Sequence, residues 1–245
     1  MFFSIITVSL NAEALIADTI KSTLYQTFTD FEIIVKDGGS KDKTLDMIPA
    51  DERIRVIQKS DKGIYDGMNQ AIAEAKGRYL IFMNCGDLFY DNSVLEAAYE
   101  ILKDGEERIL YGNRFSDDIG VVEYPVNLKK RHFYYSTICH QASFIPRTAF
   151  EKIGYYDESL RIASDWKFFL DALIGGVPYQ YCDKIFCRFL SGGVSETEKG
   201  KKISDAERKL VKKTRFSTAE KIYIPLLNTK LGRFAVSAKR KLTKK

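Results

Sequence analysis

Short, nearly continuous apolar runs alternate with stretches whose apolar residues recur every three or four positions. Phe3–Ser9 is the first run, and Ile16, Ile20 and Leu24 then mark one face of a helix over about Ala12–Tyr25. Phe31–Lys36, Ile54–Gln58 and Tyr79–Met83 read as further strands. Asp37-Gly38-Gly39-Ser40 is a turn ahead of a short helix, and a longer helix over about Ile64–Ala75 ends at Gly77. Strands that alternate with helices of this length predict an α/β fold, with a mostly parallel central sheet flanked by helices and joined by right-handed crossovers.

The pattern loosens in the second half. Ile109–Gly112, Val121–Tyr124 and Ala142–Ile145 read as short strands, the last closed by Pro146. Ser164 is placed to cap a helix running to about Ile174, where Gly175-Gly176 stops it. Val177–Phe189 is strand-like, Ser191-Gly192-Gly193-Val194-Ser195 is a loop, and two or three basic helices finish the chain. The division expected is a domain over 1–198, with halves 1–90 and 91–198, followed by a basic helical C-terminal extension over 199–245.

Composition narrows the class. A chain of 245 residues with 45% hydrophobic content builds a sizeable core and is not globally disordered. It has no apolar run of about 18 residues, so no spanning helix is expected. The first apolar run lacks a basic region before it and reads as a strand, not a signal peptide. Cys85, Cys139, Cys182 and Cys187 form no CxxC pair, which excludes a zinc framework and suggests reduced thiols in the cytoplasm.

The net charge of +5 hides an asymmetry. From Lys199 to Lys245 there are 16 Lys or Arg against 3 acids, while the rest of the chain has 22 against 30. Leu210, Val211, Phe216, Ile222, Tyr223, Ile224, Leu226, Leu227, Leu231, Phe234 and Val236 are interspersed among those cations. Two readings stand side by side: a peripheral element on the inner face of a membrane, or a solvated helix packed on the domain. No recognition motif supports nucleic-acid binding.

The candidate chemistry lies at the carboxyl ends of the first four strands, where ligands bind in open α/β sheets. Ser9 and Asn11 follow the first, Asp37 the second, Lys59, Asp61 and Lys62 the third, and Asn84 and Asp87 the fourth. Together they make a polar crevice able to hold a nucleotide and its cation. No GxGxxG or GxxxxGK[ST] is present, which disfavours a Rossmann dinucleotide site and a P-loop. Taken alone, Asp37 is a turn residue, Asp87 a turn or cap residue, Asp165 a first-turn acid and His140 a structural histidine.

The segments Ser4–Asn11, Ile33–Thr44, Gly63–Ile72 and Ala75–Asn84 resemble, in order and spacing, the start of family-2 glycosyltransferases of GT-A fold. The likeness covers about residues 4–90 and is nearest to the branch that includes colanic-acid and other surface-polysaccharide enzymes. It implies an inverting, metal-dependent transfer of sugar from a nucleotide-sugar, most simply a UDP-sugar, to a lipid-linked sugar or polysaccharide. By that resemblance Thr7, Asn11 and Asp37 line the nucleoside pocket, while Lys62, Asp66, Asn69 and Asn84 attend the diphosphate and donor sugar. Asn84-Cys85-Gly86-Asp87 departs from the family's Asp-x-Asp, leaving Asp87 as the one protein carboxylate on a Mn2+ or Mg2+ ion. Ile162–Leu170 resembles the family's acidic motif, with Asp165 as general base. His140 and Trp166 are then expected on the acceptor side, with Ser191–Ser195 folding over the donor. The rivals are a sugar-phosphate nucleotidyltransferase, which would show a Gly-rich basic loop after the first strand, and a non-catalytic glycan- or sugar-nucleotide-binding module.

Overall fold

The computed structural model describes residues 1–227. The first half runs β1 (Phe3–Ser9), α1 (Ile16–Leu24), β2 (Phe31–Asp37), β3 (Ile54–Gln58), α2 (Ile64–Glu74) and β4 (Tyr79–Phe82). There follow β5 (Leu88–Phe89), α3 (Val94–Leu102), β6 (Ile109–Ser116), β7 (Gly120–Val122), α4 (His132–Tyr135), β8 (Ser143–Pro146) and α5 (Arg147–Ile153). The last elements are α6 (Ser164–Ile174), β9 (Tyr179–Phe189), α7 (Glu198–Arg215) and α8 (Thr218–Leu227).

Nine strands join in one sheet of order β3-β2-β1-β4-β8-β6-β9-β5, with β7 on β6. The four strands at the β3 end are parallel, as the βα alternation requires. Beyond them β8 is antiparallel to both β4 and β6, β5 is antiparallel to β9, and β6 and β9 run parallel. Parallel pairing therefore dominates only the first half. The later strands do not alternate regularly with crossover helices, so they pair in both senses.

β1, β2 and β4 are buried on both faces, and each face has its own core. Ile6, Ile34, Leu80 and Phe82 pack with Met68 and Ile72 of α2 and with Phe168 and Phe169 of α6. Ile5, Ile33, Val35 and Ile81 pack on the other side with Ile16 and Ile20 of α1 and Leu95 of α3. In register, Ser9 lies opposite Asp37, and Asp37 opposite Gln58. The polar ends of the parallel strands thus line up along one edge.

Two features of the second half differ from expectation. α3, α4 and α5 fill stretches where no helix was expected, and Ser164 does not cap α6. It is the first helical residue, and the cap position, Ala163, has no side-chain hydrogen bond. The missing cap is supplied from a distance. The Glu207 carboxylate in α7 accepts from the backbone N–H groups of Arg161 (2.6 Å), Ile162 (3.1 Å) and Ala163 (2.9 Å). A carboxylate there satisfies free amides and complements the positive end of the helix.

The extension is fastened elsewhere too. Val211, Phe216 and Ile224 join the core beside α6, Arg215 clamps Asp171, and Lys130 pairs with Glu220 at 2.8 Å. Leu210, Ile222 and Tyr223 stay exposed. Leu231, Phe234 and Val236 lie outside the described residues. Among the described residues no helix is long and apolar enough to cross a membrane.

Replacing Glu207 with Ala leaves three amides at the head of α6 without an acceptor. The expected cost is about 1–3 kcal/mol, read as a lower urea midpoint with an unchanged slope.

Candidate active site

Asp165 is the second residue of α6, and the polar site is organised around its carboxylate. Its Oδ1 accepts from the Tyr65 hydroxyl at 2.9 Å, and its Oδ2 lies 3.0 Å from His140 Nδ1. Tyr65 comes from the first turn of α2, and its hydroxyl also lies 2.6 Å from the Ile162 carbonyl. His140 opens a 3-10 turn over His140–Ala142, and its Nε2 is 3.0 Å from Asn84 Nδ2. One chain of contacts, Tyr65–Asp165–His140–Asn84, therefore joins α2, α6, the 3-10 turn and the loop after β4. The side chains of His140 and Asp165 retain 14% and 18% exposure, so a substrate hydroxyl has a way in.

Charge follows from these contacts. Burial pushes the Asp165 carboxyl up, but the bond and charge of His140, the Trp166 backbone N–H and the Tyr65 hydroxyl outweigh it and hold it below the usual range. Burial pushes His140 down, yet the Asp165 carboxylate beside it wins and raises it. Burial together with the charge of Asp165 keeps Tyr65 neutral, its pKa well above the ordinary phenol value. With Nδ1–H given to Asp165, a neutral His140 accepts from the Asn84 amide through Nε2. Asn84 Oδ1 is buried with no partner among the described residues. Turning the amide over would give Oδ1 to an Nε2–H, so the Asn84 orientation and the His140 charge are one variable.

The turn after β4 carries the second acid. Gly86 stands at φ +97°, and a Cβ there would collide with the Leu190 side chain, so only glycine fits this tight turn. Asp87 is 4% exposed. Its Oδ2 accepts from Gln141 Nε2 at 2.7 Å and its Oδ1 from the Leu190 N–H at 2.8 Å. Burial raises the Asp87 pKa more than these donors lower it. Asn84–His140 and Asp87–Gln141 thus zip the β4 turn to the 3-10 turn, and Leu190 ties in the end of β9.

The residues present fit a divalent cation only in part. Among the described residues no three His, Cys, Asp or Glu side chains converge on one point. The turn offers one carboxylate, Asp87, and one unpartnered amide oxygen, Asn84 Oδ1. The remaining ligands of a Mg2+ or Mn2+ would have to be phosphates and waters.

At the ends of β1 and β2 lies a second polar group. Thr7 is wholly buried, with Oγ1 unpartnered among the described residues. Asn11 adopts φ +51°, and its Oδ1 accepts from the Lys41 N–H at 2.8 Å. Asp37 accepts from the N–H groups of Gly39 (2.8 Å) and Ser40 (2.9 Å) and from the hydroxyls of Ser40 (2.5 Å) and Ser9 (3.3 Å). Burial pushes Asp37 up, but these four donors hold it below the usual carboxylate range.

Helix α2 holds the remaining donor-side candidates. Asp66 accepts from the Lys62 N–H and from Gln70 Nε2, closing the first turn of α2, while Lys62 is exposed. Asn69 faces away from the strand ends, bracketing the Tyr156 backbone and Glu158. Trp166 does not reach an acceptor surface either. It is 0% exposed, and its Nε1–H lies 3.0 and 3.1 Å from the Phe133 and Ser136 carbonyls.

Two candidates escaped the sequence. Tyr65 sits inside the Gly63–Ile72 motif, where an aromatic in the first helical turn was a usable signal. Lys36 is fully buried within β2 and pairs with Asp61 at 2.9 Å. A lysine in a strand buried along its whole length was the clue, but its partner lies 25 positions away.

The parallel strand ends thus present a polar edge beside a part-buried carboxylate at the head of a helix. A family model for glycosyl transferase family 2 matches residues 4–162, and the chain belongs to that family. A PGL/p-HBAD biosynthesis glycosyltransferase of Mycobacterium bovis is 32% identical over 179 residues, 68% of this chain and 67% of that protein. An uncharacterized glycosyltransferase of Mycobacterium tuberculosis is 34% identical over 200 residues, 78% of this chain and 76% of that one. Among solved structures, S. aureus TarS in complex with UDP-GlcNAc superposes with TM-score 0.69 at 18% identity, covering 91% of this chain and 70% of that one. The mannosyltransferase PcManGT of Pyrobaculum calidifontis, in complex with GDP-Man and Mn2+, gives 0.68 at 16% identity, covering 92% and 67%.

The Asp165–His140 pair contributes stability between two limits. The contribution is lost as pH rises through the raised His140 pKa and as pH falls through the lowered Asp165 pKa. The chain has 2 histidines, so imidazole NMR resolves His140 readily. Asp165→Asn should lower the His140 pKa, and Asn84→Asp should raise it further by adding a second carboxylate. An unchanged His140 titration in both variants would contradict the contact.

Proposed function

We propose that the chain inverts the anomeric centre of a UDP-sugar as it passes the sugar to a lipid-linked or growing surface polysaccharide. The reading rests first on Asp165, a carboxylate kept ionised by His140 at a partly open position. The acceptor hydroxyl gives its proton to Asp165 while its oxygen attacks the anomeric carbon. The bond from that carbon to the diphosphate oxygen breaks on the opposite face, its electron pair leaving with the nucleoside diphosphate. Tyr65 and His140 hold the carboxylate in orientation and are positioning residues. The strand-end group of Thr7, Asn11 and Asp37 receives the nucleoside, with Lys62, Asp66 and Asn84 nearer the diphosphate and sugar, while Asn69 is taken up by Tyr156 and Glu158 and drops out of the donor site. Asp37, already accepting from four internal donors, then has to divide its lone pairs between them and an N–H or O–H of the base or ribose. A Mn2+ or Mg2+ bound through Asp87 and the donor phosphates would neutralise charge on the leaving group.

The similar folds include one complexed with UDP-GlcNAc and one with GDP-Man, so nucleotide-sugar chemistry supports the donor class and leaves the base to experiment. The M. bovis relative is named for PGL/p-HBAD biosynthesis, which supports a biosynthetic sugar transfer. We place the reaction in the cytoplasm at the inner face of the membrane, with residues 1–198 catalytic and the basic extension meeting anionic lipid. Exposed Leu210, Ile222 and Tyr223 among cations support that contact. The full chain should cosediment with anionic vesicles at low salt and release at high salt.

UDP with Mn2+ at about a hundredfold excess over Kd should raise Tm by roughly 5–10 °C, and less when the cation is withdrawn. A shift with GDP alone would change the donor, and no shift with any nucleotide would overturn the donor site. With donor and acceptor in hand, Asp165→Asn should cut kcat by about 100- to 10,000-fold.

A further inference from the structure

Arg208 and Lys212 stand one turn apart on α7, beside the head of α6. Arg215 on the same helix clamps Asp171, and nearby Lys130 clamps Glu220. Arg208 and Lys212, by contrast, make no side-chain hydrogen bond or ion pair among the described residues. Arg208 Nε is shielded from solvent with nothing to donate to. What holds both groups in place is aromatic. The Arg208 guanidinium lies 5.2 Å from the Trp166 ring centre, and Lys212 Nζ lies 4.8 Å from that of Tyr134. Trp166 is itself fixed by its two carbonyl contacts, so the guanidinium rests on a rigid platform.

Such a pair is unfavourable in the free chain. A part-buried cation normally finds a counter-ion, and here a second cation stands on the next turn. Burial pushes both groups down, and Arg208 lowers Lys212 further. The acids whose charge acts on Arg208 are Asp165 and Asp205, with Tyr65 beside them. Arg208 thus sits next to the acid site, over the ring of the residue that follows Asp165. A guanidinium can give phosphate oxygens two parallel hydrogen bonds, and the Lys212 ammonium adds a point charge.

We propose that Arg208 and Lys212 bind a phosphate or diphosphate carried by the acceptor, close to the hydroxyl that Asp165 deprotonates. This deepens the transferase reading and rests on it for the role of Asp165. It makes the acceptor an anionic, phosphate-linked sugar, with Arg208 and Lys212 as its specificity residues. The donor also carries a diphosphate, so the test must separate the two sources.

Inorganic pyrophosphate is titrated calorimetrically into the full chain, alone and with the donor site saturated by UDP. The expected result is that pyrophosphate still binds with UDP in place. Arg208→Gln should weaken pyrophosphate by about 10- to 100-fold and leave UDP within about twofold. Lys212→Gln should weaken pyrophosphate in the same direction, and Arg208→Lys should fall between wild type and Arg208→Gln. Melting curves check that each variant folds, and if Arg208→Gln does not, Lys212→Gln decides. Pyrophosphate affinity unchanged in the folded variants, pyrophosphate displaced by UDP, or UDP weakened in place of pyrophosphate would each overturn the proposal. If UDP fails to bind the wild type, the donor reading falls, while the pyrophosphate arm still judges Arg208 and Lys212.

Discussion

A carboxylate buried as deeply as that of Asp165 has to be satisfied, and the rest of the site follows from how that is done. Two donors reach it from different directions, Tyr65 from α2 and His140 from the 3-10 turn. Neither is near Asp165 in sequence, so the carboxylate links segments that the sheet alone would leave independent. The link is charge-assisted, which makes it stronger than neutral hydrogen bonds and directional enough to fix both oxygens. Losing either donor would leave a part-buried charge under-solvated, so geometry and electrostatics reinforce one another here.

The same logic extends outward through His140. Its second nitrogen meets Asn84, whose turn also carries Asp87, and Asp87 meets Gln141, the neighbour of His140. Two cross-links between two short turns form a closed loop of contacts that neither turn could hold by itself. Leu190 adds the end of β9 to this loop through its N–H. The Ser191–Ser195 loop therefore begins at a point anchored to the same acid that would meet a cation. A ligand that drew on Asp87 would compete with Leu190 or Gln141, coupling ligand binding to the placement of that loop.

How much of this was legible in the chain depends on the range of the interaction. β1 to β4 and α2 were readable to within a residue or so, because apolar periodicity is local and the strands are buried on both faces. α3 was missed, although Val94, Leu95, Ala98 and Leu102 lie on one helical face and offered the same signal. Asp165 and His140 were nameable through the family's motifs, but their direct contact was not, since nothing in either segment encodes it. Trp166 shows the opposite failure. An aromatic next to a catalytic acid suggests a sugar platform, yet consecutive helical residues point in different directions, and this one points into the core. Ser164 failed as a cap for a related reason. A cap is normally local, and here Glu207 took the role from more than 40 positions downstream.

That long-range cap bears on where the catalytic unit ends. The family model stops at residue 162, just ahead of Asp165, and the composition break suggested a boundary near 198. Physically neither is an edge. The amides that precede Asp165 are held by Glu207, the ring behind it is covered by Arg208, and the far end of α6 is clamped by Arg215 through Asp171. All three come from α7, on one helical face that also buries Val211. The basic charge of the tail is thus divided by geometry. On the docked face of α7, Arg208 covers Trp166 and Arg215 clamps Asp171, while Lys209 and Lys213 face outward. Among the described residues, the Lys and Arg excess along α7 therefore does not mark a separate module. At least as far as α8 it is part of the structure that makes Asp165 usable.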